Sequence, residues 1–180
     1  MHIGTIAAGR IGYDMLRKMA PFDVHLHYND RHRLPWEKEA ELNLHYHETV
    51  ESLVGVCDVI NISCPLHPET EHLFNEKLIA QCKPGAYLIN TARGKICDRA
   101  AIAKALESGQ LSGYAGDVWF PQPAPADHPW RTMPNHGMTP HTSGTTLSAQ
   151  TRYADGVREI LECFFDGHEI RNEYKIISHG

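Results

Sequence analysis

No cysteine pair stands at C-x-x-C spacing, no long run carries one sign of charge, and no apolar run approaches the ~18 residues of a membrane span. The five cysteines, Cys57, Cys64, Cys82, Cys97 and Cys163, are odd in number and scattered. That argues against a disulfide framework or a zinc site and predicts buried thiols. Lys and Arg number 17 against 22 Asp and Glu, a net charge of −5. Neither nucleic acid nor a membrane surface is therefore an expected partner, and a small soluble molecule is. Residues 1–12 lack the charged-then-apolar layout of a secretory leader, so the expected location is cytoplasmic, any organellar targeting segment lying ahead of Met1. Internal repeats and low-complexity tracts are also lacking. Asn61-Ile62-Ser63 has the form of a glycosylation sequon but sits in an apolar, strand-like run and is read as coincidence.

What is present is the patterning of an α/β protein. At about 150 residues per domain, 180 residues make one domain and a piece, and 42% apolar content suffices for a core without staples. Short β-rich runs at His2–Ile6, Val24–Tyr28, Val59–Ile62, Ala86–Asn90 and Leu111–Val118 alternate with helical patterns, which predicts βαβ units and a mostly parallel, doubly wound sheet. Helices are expected from Gly9 to Pro21, over Trp36–Leu44 and Val50–Val54, over Glu76–Cys82, and over Arg99–Ser108 behind an Asp98 N-cap. The stretch after Trp119 is too rich in proline for regular structure and too long for a plain connector, so it is read as a functional loop. A long helix is expected over Thr145–Phe165, and the composition boundary near it divides the chain into residues 1–142 and 143–180.

Several short motifs carry chemistry. Ala7-Ala8-Gly9-Arg10-Ile11-Gly12 follows a strand and opens a helix, the dinucleotide fingerprint with alanine in the first glycine position. Gly9 would let a pyrophosphate approach the backbone, Gly12 would allow close helix packing, and the amides of Arg10 and Ile11 would face the phosphates. A plain tight turn is the competing reading. Asp30, eighteen residues past Gly12, can accept from both ribose hydroxyls and repel a 2′-phosphate, which favours NAD over NADP. Arg31 and Arg33 are expected close enough to stack on adenine. Arg93, just past a strand in Asn90-Thr91-Ala92-Arg93-Gly94, can grip a carboxylate bidentately. Asp117 and Pro140-His141-Thr142-Ser143-Gly144 end later strands and add an acid, a histidine and small donors to the same rim. A metal reading of His25/His27 and His45/His47 fails for want of further ligands at defined spacing.

With these motifs, and with Cys64 to His72 and Gly113 to Ala124, the chain resembles NAD-dependent formate dehydrogenases, a branch of the D-2-hydroxy-acid dehydrogenases. The resemblance implies a Rossmann-type domain followed by a C-terminal helix and tail belonging to a substrate domain, most of which has no counterpart here. It implies that Arg10 and Ile11 contact the pyrophosphate and Asp30 the ribose. Pro65, Leu66, His67, Pro68, Glu69 and Thr91 would line the cofactor groove. Asp117, Ser143 and Gly144, with His141 and Thr142 alongside, would hold the nicotinamide end. Arg93 would bind formate, with His141 and Gln122 beside the reacting carbon. A homodimer through the NAD domain is also implied. Gln122 is the telling residue, because 2-hydroxy-acid relatives use Glu there to support a His that takes a hydroxyl proton, whereas formate has no such proton to lose. A 2-hydroxy-acid dehydrogenase and a noncatalytic NAD-binding fragment are the alternatives.

Overall fold

The computed structural model describes residues 1–175. Contacts divide the chain into two compact units, Met1–His141 and Thr142–Gly180. In the first, seven parallel strands form one sheet in the order β3-β2-β1-β4-β5-β6-β7. The strands are β1 (His2–Ile6), β2 (His25–Asn29), β3 (Leu44–His47), β4 (Val59–Ile62), β5 (Ala86–Asn90), β6 (Leu111–Gly116) and β7 (His136–Met138). The helices are α1 (Arg10–Met19), α2 (Trp36–Leu42), α3 (Val50–Val54), α4 (Glu76–Ile79) and α5 (Arg99–Glu107). The direction of strand addition reverses between β1 and β4. That switch point opens a crevice beyond the strands' carboxyl ends, where open α/β sheets bind ligands.

Two apolar clusters anchor the sheet. One is centred on Leu53, Ile60, Ile62, Phe74, Leu88, Ile96 and Ile102, and the other gathers Ile3, Leu16, Leu26 and Tyr28 under α1. Leu16 is fully buried, which explains why α1 keeps one apolar stripe while its Arg17 and Lys18 face water. The predicted N-cap of α5 is realised, Asp98 accepting from the amides of Ala100 and Ala101 at 2.9 Å each.

Some boundaries differ from the sequence reading. The helix expected to reach Leu44 stops at Leu42, because Asn43 takes a left-handed conformation (φ 51°) that caps it and releases Leu44 into β3. The helix expected to run to Cys82 ends at Ile79, and β6 ends at Gly116 rather than Val118. Four of the five cysteines are buried, while Cys163 is only half-buried. Burial pushes the thiols of Cys57, Cys82 and Cys97 up to about 12 and that of Cys64 to about 11. Asn61 of the sequon is itself buried and donates to Ser63 Oγ at 2.7 Å.

The histidine-rich strands form a ladder on one face of β1, β2 and β3. His2 Nδ1 meets His27 Nε2 at 2.8 Å, His27 Nδ1 meets His47 Nε2 at 2.9 Å, and His47 Nδ1 meets Ser52 Oγ at 3.0 Å. Since the Ser52 hydroxyl already donates to the Thr49 carbonyl, its oxygen accepts from His47, and every ring in the chain carries its proton on Nδ1. Burial, followed by the neighbouring imidazoles with His47 first, pushes the His27 pKa down to about 4. The unfolded chain then binds more protons below about pH 6.5, so this stability is present above that value and is lost as pH falls toward about 4. Urea unfolding should show a loss of roughly 1–2 kcal/mol between about pH 7 and about pH 5, and His27→Gln should flatten that slope. An unchanged slope in the variant would contradict the assignment.

In the second unit, α6 (Leu147–Asp166) is capped by Thr146, whose hydroxyl accepts from Ala149 N, and ends at Gly167 in a left-handed conformation (φ 70°). Leu147, Tyr153, Val157, Leu161, Phe164 and Phe165 are exposed along it. No described helix is long and apolar enough to cross a membrane.

Candidate functional site

A groove of about 510 Å³ opens at the carboxyl ends of β1, β2 and β4. Gly9, Arg10, Ile11 and Gly12 form one wall, Asp30 and Arg31 close the β2 end, and Ser63, Cys64, Pro65, His67, Glu69 and Thr70 form the facing wall. Leu66 and Pro68 belong to that facing segment but do not line the groove.

The turn between β1 and α1 is built for close approach. Ala7, in the first glycine position of the fingerprint, takes a left-handed φ of 70°. A Cβ added at Gly12 would stand 2.1 Å from the Ala7 carbonyl oxygen, whereas one added at Gly9 would meet nothing within 4 Å. Gly12 is thus required by packing, and the space over Gly9 is kept clear for something outside the chain. Beneath the turn, Thr5 Oγ1 donates to the Ala7 carbonyl at 3.2 Å and is braced by Asn61 and Ser63. No side chain caps α1, so its first amides remain directed at the groove, the positive end of the helix dipole.

Asp30 joins two segments of the groove. Its carboxylate accepts from Ala8 N at 2.8 Å and from His32 N at 2.9 Å, tying the glycine turn to the end of β2. Arg33 does not line the groove. Its guanidinium makes two 2.9 Å contacts with Glu39 and lies 5.1 Å from the centre of the Tyr46 ring, away from the groove. The Glu39 carboxylate is largely shielded and also accepts from the Tyr28 hydroxyl, so a bidentate pair there outcompetes an exposed position over the groove. Thr70, which the sequence reading passed over, shapes the facing wall by accepting from His67 N at 2.8 Å and donating to the Pro65 carbonyl at 2.7 Å.

Further along the rim, the buried Asn90 side chain folds the turn that carries Thr91 and Arg93. It accepts from Ala92 N at 3.0 Å and donates to the Arg93 carbonyl at 2.9 Å. Arg93 is exposed, donates to the Ala92 carbonyl, and has no carboxylate partner among the described residues. Gly94 lets this turn abut the next loop, since a Cβ there would lie 2.5 Å from the Trp119 carbonyl carbon. Asp117 is buried at the end of β6 and accepts from Thr139 Oγ1 at 2.5 Å. Within the same unit His141 Nδ1 lies 2.8 Å from Gln122 Nε2 and 3.1 Å from Gln122 Oε1. Thr142, Ser143 and Gly144 are exposed and belong to the second unit.

An uncapped helix start over an open glycine, with a carboxylate at the tip of the second strand, is the donor and acceptor set that a dinucleotide's pyrophosphate and ribose require. Residues 1–143 match the family described as D-isomer specific 2-hydroxyacid dehydrogenase, NAD binding domain. The chain is 68% identical over 180 residues to a formate dehydrogenase of Pseudomonas sp. (strain 101), covering 100% of this chain and 45% of that protein. It is 53% identical over 171 residues to that of Candida boidinii, covering 92% of this chain and 47% of that protein. Among solved structures, a Granulicella formate dehydrogenase superposes with a TM-score of 0.92 at 63% identity, over 99% of this chain and 47% of that one. An NAD-dependent formate dehydrogenase from Staphylococcus aureus in complex with NAD superposes with a TM-score of 0.82 at 45% identity, over 99% and 53%. The chain spans about half the length of the curated relatives it matches. It belongs to the D-isomer specific 2-hydroxyacid dehydrogenase family, whose NAD-binding domain it carries in residues 1–143.

Proposed function

We propose that this chain is the NAD-binding part of a formate dehydrogenase, and the contact between Gln122 and His141 carries the reading. NAD⁺, when bound, supplies the hydride acceptor for the formate C–H, and CO₂ departs. A glutamate beside His141 would favour the imidazolium and so a proton-accepting cycle on a hydroxyl substrate. A neutral amide does not. The shorter contact, 2.8 Å, is with the amide nitrogen. The amide engages Nδ1, which leaves Nε2 available to a carboxylate oxygen. Arg93, free of any carboxylate of the described residues, supplies the charge that holds formate. Asp117 is assigned to the nicotinamide carboxamide, the role the resemblance also implies for Ser143 and Gly144, and Thr91 to the cofactor groove. The same reading assigns a homodimer through this domain, as the resemblance implies, and a cytoplasmic location.

The experiment is NADH formation from formate and NAD⁺, set against NADH consumption with glyoxylate. The 180-residue chain by itself is expected to oxidise formate at least ~100-fold more slowly than its whole relatives, from the size of positioning losses in an incomplete cleft. A glyoxylate rate above the formate rate would overturn the substrate assignment.

A further inference from the structure

Gln122 sits on an exposed, proline-rich segment with no strand or helix of its own, yet its amide must meet one ring nitrogen of His141. Side-chain geometry of this kind is held only when neighbouring groups lock the backbone beneath it. On its N-terminal side, His128 supplies the lock. The buried His128 ring accepts from Trp130 N at Nδ1 (3.2 Å), which leaves its proton on Nε2 to donate to the Phe120 carbonyl (3.0 Å), two residues before Gln122. On the C-terminal side, Arg131 donates from Nη2 to the Ala124 carbonyl and from Nε to the Pro125 carbonyl, both at 2.8 Å.

Both clamps converge on Trp119. The His128 ring stands edge-on to its indole with centroids 5.3 Å apart, and the Arg131 guanidinium lies 5.4 Å from the indole centre. The Trp119 indole N–H in turn donates to the Thr139 carbonyl at 2.9 Å, two residues before His141. The loop bearing the amide and the strand exit bearing the imidazole are therefore fastened to the same side chain.

We propose that His128 and Arg131 are positioning residues that, through Trp119, set the Gln122 amide against His141 Nδ1. The proposal rests on the reading of Gln122 and His141 as a working pair, and its test separates the two.

Histidine ¹⁵N NMR of the 180-residue chain, with the His141 signals assigned by their disappearance in His141→Gln, reports the tautomer of that ring directly. Two near-isosteres of His128 divide its contacts. His128→Asn keeps an acceptor for Trp130 N but loses the donor to Phe120, whereas His128→Gln keeps the donor. The expected result is that His128→Asn moves His141 from the single tautomer set by the amide toward the mixture of a free imidazole, and that His128→Gln largely restores the wild-type pattern. Arg131→Gln, an exposed change that leaves the core intact, should produce a shift in the same direction as His128→Asn. Gln122→Ala is the control. If it leaves His141 unmoved, the paired reading itself falls. If Gln122→Ala moves His141 while His128→Asn and Arg131→Gln lower only the melting temperature, the pair stands and the positioning proposal is overturned. Should His128→Asn fail to fold, the Arg131→Gln result decides alone.

Discussion

Replacing Asp30 with alanine is expected to weaken NAD⁺ binding by about 100-fold or more, close to 3 kcal/mol. Two effects add to reach that figure. A hydrogen bond to a charged group is worth about 1.5–3 kcal/mol, and the carboxylate is the only such acceptor assigned to the ribose. Its loss also frees the Ala8 amide it holds at 2.8 Å, so part of the binding energy is spent on ordering that turn again. Asp30→Asn, which keeps one acceptor, should fall between wild type and alanine. Because Arg31 lines the same end of the groove, removing the negative charge should also narrow the preference against a 2′-phosphate. Calorimetric titration with NAD⁺ and NADP⁺ at one salt concentration reads both effects. Unaltered NAD⁺ affinity in the alanine variant would remove the groove from consideration as the cofactor site.

Gly12→Ala is expected to damage fold and binding together. The new methyl would stand 2.1 Å from the Ala7 carbonyl oxygen and 3.1 Å from its carbon, so either α1 withdraws from the sheet or the Ala7 peptide rotates. Overpacking of this kind costs about 1–3 kcal/mol, and either movement shifts the amides of Arg10 and Ile11, the ones expected to face the phosphates. Gly9→Ala provides the contrast, since its methyl enters empty space. That variant should unfold in urea close to the wild-type midpoint, because the entropy lost by the unfolded chain is offset by alanine's poorer capping of α1, yet should bind NAD⁺ at least about tenfold more weakly by obstructing the pyrophosphate. Loss of stability in Gly9→Ala with binding preserved would contradict the division of roles between the two glycines.

The alternation of strands and helices was legible because each buried parallel strand is a nearly continuous apolar run and each helix shows a stripe at three- and four-residue spacing. Boundaries were harder. The end of α2 depends on the left-handed Asn43, and an asparagine there reads equally well as one more polar helix residue. The glycine turn, Asp30, Arg93 and the partnership of Gln122 with His141 could be named because they sit at strand ends or match the motifs of the family the chain resembles. What could not be read are the contacts that hold them, which join residues far apart in the chain. Thr139 on Asp117 and Arg131 on the Ala124 and Pro125 carbonyls leave no periodic trace. Arg33 shows the same limit from the other side, since its charge suggested the groove while a shielded Glu39 six residues on won it.

The strand order also bears on how the chain is made. Of the seven strands β1 is the first to be translated, and it ends up paired on both edges, with β2 and β4. Every later strand then finds its neighbour already present: β2 on β1, β3 on β2, β4 back on the open edge of β1, and β5, β6 and β7 each on the one before. Each strand after β1 therefore has one edge paired as soon as it is complete, and the longest wait is that of the second edge of β1, until residue 62. A parallel sheet, usually slow to assemble because its pairings are distant in sequence, can here grow outward in the order in which it leaves the ribosome.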